Sequence, residues 1–411
     1  MMVARRVERL IGGTPAIAAA HFRAEARPYH PERDPEGYLN LGTAETRLLW
    51  DLLEPVLTAP RALTAGDARY APLHGTTALR EATAAFLTRT RGVPFDAEDL
   101  TIVSGATSAL DIAATALCDP GEAIVVPAPY YSGFDADLAT RSDARLLPAP
   151  GVRSEEYRIS AKAIDEACNQ ACRAGTTVRA IAMSSPTNPI GQVLDADTLR
   201  DVLDTAAEHG LTVIADEIYA NSVFGPAPFI GAFGLPNTRL PAEQICTVWG
   251  FAKDFGLPGL KVGVLHTTDP QLRAAARELA YFAPVSTDTQ ALLQRLLADE
   301  DWTQHFLTEA TARLRASYER ITAELDRLGI AHLPAGAGFS VWADLSPWLP
   351  TASFDGETQL WRRLIDEAHL SVLPGAAFAA TDPGWFRICH ATAPAIVAEA
   401  ARRLTRLLAP R

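Results

Sequence analysis

Short apolar runs alternate with helical segments between about residues 99 and 266, and this order constrains the fold more than any other feature. Unbroken apolar strands that are separated by helices are typical of a mostly parallel sheet with helices on both faces. We predict strands at residues 100–103, 123–126, 145–147, 178–183, 211–215, 245–249 and 262–266. The helix predicted at residues 197–209 is followed by Gly210, a common C-terminal cap. The sequence therefore predicts an α/β fold, with a mostly parallel seven-stranded sheet in a large domain.

The regions that flank this sheet predict a smaller α+β domain built from both termini. A long helical tract at about residues 287–328 leads away from the sheet. Short strand signals follow at residues 340–345, 370–373 and 385–390. The N-terminal segment, which is rich in Pro and charge near residues 27–37, is expected to join this smaller domain. The predicted organisation is an N-terminal segment of the small domain at 1–48, the large domain at 49–290, and a linking helix with the C-terminal small domain at 291–411.

Charge and hydropathy exclude several classes of protein. The net charge of -12 argues against a nucleic-acid-binding surface. No apolar run approaches the length of a membrane span, and residues 1–6 lack the apolar core of a signal peptide. Five scattered cysteines have no neighbouring His or Cys that would complete a metal site. We therefore expect a cytoplasmic protein with no metal, no nucleic-acid partner and no membrane partner.

The use of lysine is unusual in this chain. It contains three lysines against 34 arginines, and two of the three, Lys253 and Lys261, lie in the Gly-rich stretch 250–263. Arg stays protonated in proteins, whereas a desolvated Lys loses its proton and forms a Schiff base with an aldehyde. Lys253 is therefore a candidate covalent anchor for pyridoxal 5'-phosphate. The alternative is a surface lysine on a Gly-rich turn.

Four separated segments each follow a predicted strand, which is where ligands bind in open α/β sheets. They are residues 104–108 (Ser-Gly-Ala-Thr-Ser), 185–191 (Ser-Pro-Thr-Asn-Pro-Ile-Gly), 216–219 (Asp-Glu-Ile-Tyr) and Lys253. The first offers backbone N–H groups and a hydroxyl to a phosphate at the start of a helix. Each segment alone is a weak signal, because small residues open many helices and Pro and Asn occur in many turns.

Together, and in this order, the segments resemble the pyridoxal-phosphate enzymes of the aspartate-aminotransferase type over nearly the whole chain. The resemblance implies pyridoxal 5'-phosphate as the cofactor and Lys253, Asp216 and Tyr219 as catalytic residues. Asp216 would pair with the protonated pyridine nitrogen and keep the ring an electron sink. Asn188 and Tyr219 would hydrogen-bond the phenolic oxygen of the ring.

The same resemblance implies how the other parts of the cofactor are held. Tyr131, rather than Tyr130, would stack on the ring. Ala106 and Thr107 would bind the phosphate together with Lys261, which stands where the family has an arginine. These residues come from three different predicted loops, so the resemblance also implies that the loops meet at one end of the sheet.

Two further positions concern the substrate and the oligomeric state. Arg387, in the segment 384–389, would clamp the substrate α-carboxylate, a task that suits the forked guanidinium. The alternative for Arg387 is an ordinary surface cation in an Arg-rich chain. Tyr70, in the segment 70–75, matches a position that reaches the phosphate of a neighbouring subunit. The resemblance therefore implies a homodimer with a shared active site.

A narrower resemblance points to the 1-aminocyclopropane-1-carboxylate synthases. The segments that are similar to these enzymes are 42–48, 127–135, 253–259, 373–378 and 384–388. The resemblance implies S-adenosylmethionine as the amino-acid substrate, bound by Arg387, Ala44 and Glu45, with the Glu45 carboxylate near the sulfonium. The alternative for Glu45 is a residue at a helix start, where a carboxylate is favourable to the helix dipole.

The chain departs from the family pattern around the phosphate. The family has two serines near the lysine and an arginine eight residues after it, and this chain has Gly250, Ala252 and Lys261. A point-charge ammonium thus replaces a two-pronged guanidinium, and two hydroxyl donors are missing. Hydroxyls that would compensate are those of Thr107, Ser108 and Thr247.

These resemblances predict a reaction in which the Lys253 amine removes the α-proton of the substrate and methylthioadenosine leaves the γ-carbon. Leu73 stands where the synthases have a tyrosine before a His-Gly pair. We therefore rank γ-elimination, or γ-replacement onto a second substrate, beside cyclisation. One alternative is a class I aminotransferase, which needs the same Lys253, Asp216 and Arg387. Another is a non-catalytic ligand-binding homologue, suggested by the incomplete phosphate site.

Overall fold

The computed structural model describes Val3, residues 15–61 and residues 63–409 of the chain. The α-helices are α1 (Ala16–Ala26), α2 (Trp50–Leu57), α3 (Thr77–Arg91), α4 (Ala106–Leu117), α5 (Phe134–Asp137), α6 (Ala161–Arg173), α7 (Ala196–His209), α8 (Phe251–Asp254), α9 (Pro270–Leu279), α10 (Thr287–Ala298), α11 (Glu300–Arg327), α12 (Phe354–Asp366) and α13 (Pro394–Leu408). The strands are β1 (Leu39–Asn40), β2 (Leu100–Val103), β3 (Ala123–Ala128), β4 (Arg145–Pro150), β5 (Val178–Ser184), β6 (Thr212–Asp216), β7 (Ile245–Gly250), β8 (Gly263–Thr267), β9 (Ser340–Asp344), β10 (Leu370–Ser371), β11 (Leu373–Pro374) and β12 (Trp385–Cys389). Short 3₁₀ helices lie at Ala97–Asp99, Arg153–Glu155, Ala242–Gln244, Pro258–Leu260, Ala280–Phe282, Ser346–Trp348 and Gly375–Phe378.

The large sheet has seven strands in the order β2-β8-β7-β6-β5-β3-β4. Neighbouring strands from β4 to β7 are parallel, and β8 runs antiparallel to both β7 and β2. Each strand predicted between residues 100 and 266 is present, with ends that differ by a few residues. The prediction of a mostly parallel seven-stranded sheet is therefore confirmed.

Helices cover both faces of this sheet, which explains why its strands read as unbroken apolar runs. In β6, Ile214 packs in a core on one face with Leu110 of α4. Its neighbour Val213 packs in a separate core on the other face with Leu199 of α7. All four side chains are buried. Successive residues of a strand point to opposite faces. A strand that is buried on both faces therefore consists mainly of apolar residues.

Local capping groups define both ends of α7, of which the sequence predicted the C-terminal one. Asp195 accepts a hydrogen bond from the Thr198 N–H at 2.7 Å and caps the N-terminus of α7. Gly210 ends α7 in the left-handed conformation, with a φ of 65°. That conformation carries no Cβ penalty for glycine, so α7 ends where the prediction placed its end.

The smaller region is built from both ends of the described chain. Strand β1 pairs with β10 in a parallel two-stranded sheet, and β9, β12 and β11 form an antiparallel sheet. Leu39 and Leu41 from the N-terminal part share a core with Leu360 and Phe386. The prediction that residues from both ends form an α+β unit is confirmed, whereas the boundaries 1–48, 49–290 and 291–411 stay predictions.

Two predicted elements are divided in the structure. The helical tract at 287–328 is interrupted at Asp299, whose carboxylate accepts a hydrogen bond from Trp302 N–H at 3.0 Å and so begins α11 as a separate helix. The strand at 370–373 is two short strands, because Leu370 and Ser371 pair with β1 whereas Leu373 and Pro374 pair with β12. Sequence periodicity did not show that neighbouring residues would join different sheets.

Candidate active site

The loops after several strands of the large sheet surround a cavity of about 310 Å³. Ten of the twelve residues predicted for the site line this cavity. They are Ala44, Ala106, Thr107, Tyr131, Asn188, Asp216, Tyr219, Lys253, Lys261 and Arg387. Segments that are up to about 340 residues apart in the chain are thus brought together, and the roles assigned to these residues stay predictions.

Lys253 enters the cavity from α8, which begins directly after β7. Its Nζ donates a hydrogen bond to the carbonyl oxygen of Ala44 at 2.5 Å. The pKa of Lys253 is lowered to about 8, mainly by burial and then by the charge of Arg387, whereas Glu45 and Asp216 act in the opposite direction. An amine with this pKa is partly neutral near pH 8, so it is able to attack an aldehyde or to accept a proton.

Asp216 ends β6 with a buried carboxylate. Burial raises the pKa of Asp216 to about 7, although hydrogen bonds from Ile218 N–H at 3.2 Å and Ser184 Oγ at 3.3 Å act to lower it. A cationic group in the cavity would favour the ionised carboxylate. Ser184 was missed by the sequence reasoning, although it is the residue of β5 that stands in register with Asp216.

Arg387 enters the cavity from β12. Its Nη2 donates to the carbonyl oxygen of Gly42 at 2.6 Å, and its Nη1 donates to Oδ1 of Asn188 at 3.1 Å. The guanidinium lies 4.9 Å from the centre of the Phe378 ring, and its Nε has no hydrogen-bond partner among the described residues. Arg387 is 3% exposed, so it is not the surface cation of the alternative interpretation.

Two phenols complete this side of the cavity. Tyr219 is buried edge-on against Phe339, with 5.3 Å between the ring centres. Burial raises the pKa of both Tyr219 and Tyr131, so both phenols are neutral at physiological pH. Tyr131 lines the cavity, whereas the hydroxyl of Tyr130 donates to a carboxylate outside it. We call Asn188, Asp216, Tyr219, Lys253 and Arg387 the lysine wall.

Asp254, the neighbour of Lys253 in the chain, fixes the position of this wall. It is buried and accepts four hydrogen bonds, from the N–H and Nδ2 of Asn221, from Ser222 Oγ and from Trp249 Nε1, at 2.7 to 3.0 Å. These bonds join the turn after β6 to α8. The sequence reasoning did not identify Asp254, because its partners are more than 30 positions away apart from Trp249.

The other end of the cavity is formed where α4 begins. Gly105 precedes α4 with a φ of 88°, and a Cβ at Gly263 would lie 2.3 Å from the backbone of Gly105. This close approach brings the chain that carries Lys261 against the helix N-terminus. Free N–H groups and the helix dipole favour an anion there. We call Gly105, Ala106, Thr107, Asp137 and Lys261 the anion cup.

Asp137 in the anion cup was not predicted from the sequence. It lines the cavity, and its Oδ2 accepts a hydrogen bond from Thr107 Oγ1 at 3.2 Å. Ser108 and Thr247, the other two hydroxyls expected to compensate for the missing serines, do not line the cavity. Ser108 Oγ donates to a carbonyl oxygen of the preceding turn, that of Ser104, at 3.1 Å. Thr107 is therefore the hydroxyl of this predicted set that reaches the cup.

Three other residues singled out from the sequence also lie outside the cavity lining. Glu45 does not line it, but its carboxylate is close enough to Lys253 to raise the pKa of the amine. Leu73 is partly buried away from the cavity. The side chain of Tyr70 is fully exposed on the surface of the chain.

Comparison with known proteins identifies the family. The model of the aminotransferase class I and II family matches residues 36–404. The chain belongs to this family. Within it, the chain is 36% identical over 381 residues to 1-aminocyclopropane-1-carboxylate synthase 6 of Arabidopsis thaliana, covering 89% of this chain and 77% of that protein. It is 35% identical over 382 residues to 1-aminocyclopropane-1-carboxylate synthase 2 of Solanum lycopersicum, covering 89% of this chain and 79% of that one.

Solved structures confirm the fold of this aminotransferase family member. Aspartate aminotransferase from Thermus thermophilus superposes with a TM-score of 0.83 and 23% identity over 99% of this chain and 100% of that one. N-succinyldiaminopimelate aminotransferase from Mycobacterium tuberculosis superposes with a TM-score of 0.79, 23% identity and the same coverage. These likenesses establish the aspartate aminotransferase fold.

Enzymes of this family depend on pyridoxal 5'-phosphate, and the cavity fits that cofactor. The Lys253 amine, with its lowered pKa, suits the aldehyde of the cofactor, and the buried Asp216 carboxylate suits its pyridine nitrogen. The N-terminus of α4, beside Lys261, suits its phosphate. In the part of the chain that the structure describes, no group of three or more His, Cys, Asp or Glu side chains is placed to hold a metal ion. No helix among the described residues has both the length and the apolar character to cross a membrane.

Proposed function

We propose that this enzyme binds S-adenosylmethionine, removes the proton from its α-carbon and releases methylthioadenosine from its γ-carbon. The observation that carries the proposal is the convergence of Lys253, Asp216 and Arg387 on one cavity in a homologue of the 1-aminocyclopropane-1-carboxylate synthases. A sulfonium on the γ-carbon is a good leaving group, so loss of the α-proton is the step that the protein must assist.

The lysine wall and the anion cup would together hold the cofactor. Asp216 would face the pyridine nitrogen, Asn188 and Tyr219 the phenolic oxygen, and Tyr131 the ring face. When bound, pyridoxal 5'-phosphate withdraws electrons from the substrate α-carbon and so makes its proton acidic. Ala106, Thr107 and Lys261 of the anion cup would bind the phosphate through the N-terminus of α4 and one ammonium group.

Arg387 would bind the α-carboxylate of the substrate. Its Nε has no partner among the described residues, and its burial makes a charge-assisted hydrogen bond with a carboxylate stronger than it is in water. Ala44 lines the cavity beside Lys253, and Glu45 follows it. Glu45 is outside the cavity lining, but its carboxylate is close enough to Lys253 to raise the pKa of the amine. This proximity supports our proposal that the Glu45 carboxylate attracts the substrate sulfonium.

Lys253 would accept the α-proton. Its lowered pKa of about 8 supports this role, because a general base works best with a pKa near the operating pH. The cation of Arg387 contributes to that value, so a group that binds substrate also tunes the base.

The fate of the remaining four-carbon unit depends on residues other than those of the lysine wall. The tyrosine that precedes the His-Gly pair in the synthases is Leu73 here, and Leu73 does not line the cavity. This chain therefore has no phenol at this position to assist ring closure. We propose γ-elimination, or γ-replacement onto a second substrate, beside cyclisation to the three-membered ring.

We also propose a homodimer in which the two subunits share their active sites, in the cytoplasm. The exposed Tyr70 supports this arrangement, since it stands where the family contributes a tyrosine to the phosphate of the partner. Mixing Tyr70→Phe subunits with Lys253→Ala subunits tests it. Activity recovered above that of either variant alone supports shared sites, and the absence of any gain under exchange conditions contradicts them.

Incubation of the enzyme with S-adenosylmethionine tests the proposed reaction. We expect release of methylthioadenosine, and mass spectrometry of the accompanying product distinguishes a cyclic amino acid from an elimination or replacement product. If no methylthioadenosine is released with any acceptor, while alanine, glutamate or an aromatic amino acid converts the cofactor to its amine form, the enzyme is an aminotransferase. If neither reaction occurs, the protein is a non-catalytic homologue.

A further inference from the structure

Asp137 is an acidic residue in a part of the cavity that must receive an anion. It is the last residue of α5, it is 9% exposed, and it lines the cavity beside Ala106 and Thr107. Thr107 Oγ1 donates its hydrogen bond to Asp137 Oδ2 at 3.2 Å. A hydroxyl has a single proton to donate. In this arrangement Thr107 therefore has no proton left for a ligand in the anion cup.

The charged groups around Asp137 only partly compensate for its burial. Burial has the largest effect and raises the pKa of Asp137 to about 6, the Thr107 hydrogen bond lowers it, Asp111 of α4 raises it, and Lys261 lowers it. Asp137 in turn raises the pKa of Asp216 and of Tyr131 across the cavity. The carboxylate of Asp137 is thus ionised near neutral pH, although its surroundings already favour the protonated form.

A phosphate monoester brings about 1.5 to 2 negative charges into the same cup at pH 7. Where two anionic groups share one site, the pKa of one of them is strongly raised, because both cannot remain ionised. The family pattern would relieve this conflict with an arginine and two serine hydroxyls. Here those positions are Lys261, Gly250 and Ala252.

We propose that Asp137 takes up a proton when the phosphate of the cofactor enters the anion cup, and that the Thr107–Asp137 hydrogen bond then reverses. The proton comes from solvent and binds a carboxylate oxygen of Asp137. The new O–H donates to Thr107 Oγ1, and the Thr107 hydroxyl is released to donate into the cup. Asp137 thereby supplies, through Thr107, a hydrogen-bond donor in place of a missing serine hydroxyl.

Isothermal titration calorimetry counts the protons that are taken up on binding. The full chain, freed of cofactor, is titrated with pyridoxal 5'-phosphate at pH 8 in two buffers that differ in ionisation enthalpy. Comparison of wild type with Asp137→Asn cancels the proton changes at Lys253 and at the pyridine ring, which both proteins share. We expect the wild type to take up about one proton more than Asp137→Asn.

A matched control separates Asp137 from charge effects in general. Asp111 lies on α4, one turn beyond Thr107, and is ion-paired with Arg141 at 2.8 Å. Asp111→Asn removes a negative charge near the cup but keeps the Asp137 carboxyl, so it is expected to retain the wild-type proton count. Equal proton counts for wild type and Asp137→Asn would overturn the inference.

The pH dependence of affinity gives a second readout. We expect the affinity of the wild type for pyridoxal 5'-phosphate, divided by that of Asp137→Asn, to fall by up to about tenfold for each pH unit above 7. A ratio that does not change with pH contradicts the inference.

An experiment on the wild type alone covers the case in which Asp137→Asn does not fold. At pH 8 both Asp137 and Asp216 are ionised in the cofactor-free protein, because their pKa values are about 6 and about 7. The infrared difference spectrum on addition of pyridoxal 5'-phosphate is expected to gain the C=O band of one protonated carboxyl group. No such gain overturns the inference. It rests on cofactor binding and not on S-adenosylmethionine, so failure of the proposed reaction leaves it intact.

Discussion

The lysine wall and the anion cup lie in one cavity but are built in different ways. The lysine wall has the residue types that the family resemblance implies, and hydrogen bonds from strand ends and turns fix its members. The anion cup lacks two hydroxyls and the arginine of the family pattern, and it contains a carboxylate beside Thr107.

The difference reflects what each region must do. Each role proposed for the lysine wall requires one type of side chain. An amine serves as the base, a carboxylate pairs with the ring nitrogen, and a guanidinium binds the substrate carboxylate. A phosphate is bound largely by backbone N–H groups at a helix N-terminus, which any sequence with the right backbone supplies. Side chains in the anion cup are therefore freer to vary than those of the lysine wall. Substitutions should accordingly affect chemistry in one region and cofactor affinity in the other.

The largest effect is expected from Lys253→Ala. If Lys253 holds the cofactor and accepts the α-proton, as we propose, its loss should lower the rate of methylthioadenosine release by about 10³-fold or more. Lys162→Ala is the matched control, because Lys162 is an exposed lysine on α6 that pairs with Glu166. If the rate of Lys253→Ala stays within tenfold of the wild-type rate, the lysine wall does not differ from the anion cup in its importance for the chemistry.

The next largest effect concerns the stability of the lysine wall. Asp254→Ala leaves buried donors of Asn221, Ser222 and Trp249 without their acceptor, so we expect the free energy of unfolding to fall by about 3–5 kcal/mol. Chemical denaturation of the cofactor-free protein measures this change. Asp254→Asn keeps part of the acceptor capacity and should cost less. Equal losses in the two variants would contradict the role of these hydrogen bonds.

A smaller and different effect is expected in the anion cup. Lys261→Ala removes the charge-assisted contact that we propose with the phosphate, which corresponds to a loss of about 10- to 100-fold in affinity for pyridoxal 5'-phosphate. The turnover rate at saturating cofactor should change little. Lys261→Arg restores the fork of the family pattern and should bind the cofactor at least as tightly as the wild type. A loss of turnover in Lys261→Ala at saturating cofactor would show that the two regions are not separable.

The last effect separates the two buried carboxyl groups by pH. Burial holds the pKa of Asp216 at about 7 and that of Asp137 at about 6, against an ordinary value of 3.8. The cofactor-free folded state therefore keeps protons that the unfolded state has released. The stability from each group is fully present below pH 3.8 and is lost as the pH rises through its folded pKa.

Denaturation curves from pH 4 to 8 measure these contributions. Asp216→Asn should remove a decline in stability that extends to about pH 7, and Asp137→Asn one that ends near pH 6. If neither variant differs from the wild type in the slope of stability with pH, the two groups are ionised throughout this range.

The sequence was sufficient to predict the features that depend on residue type and order. The seven strands follow from apolar runs that are buried on both faces. Lys253 was singled out by its chemistry, and Asp216 and Arg387 by the family resemblance; the three line one cavity, and their roles stay predictions. The end of α7 follows from a local cap, because Gly210 relieves a steric constraint within its own turn.

Features that depend on partners distant in the chain were not predictable. Asp254 looks like an ordinary acidic residue until the turn at 221–222 is placed against it. Asp137 is at the end of a four-residue helix, and its pairing with Thr107 depends on how α4 and α5 approach each other. The division of residues 370–373 between two sheets depends on β1, which lies more than 300 residues earlier in the chain.

Reductive trapping tests the central claim most directly. Treating the cofactor-loaded enzyme with borohydride fixes pyridoxal 5'-phosphate to the lysine that holds it, and peptide mass spectrometry then locates the added mass. We predict that fragmentation of the peptide that contains both Lys253 and Lys261 places the mass on Lys253, and that the peptide with Lys162 carries none. Cofactor on either of these other lysines, or on none, would contradict the assignment of the site.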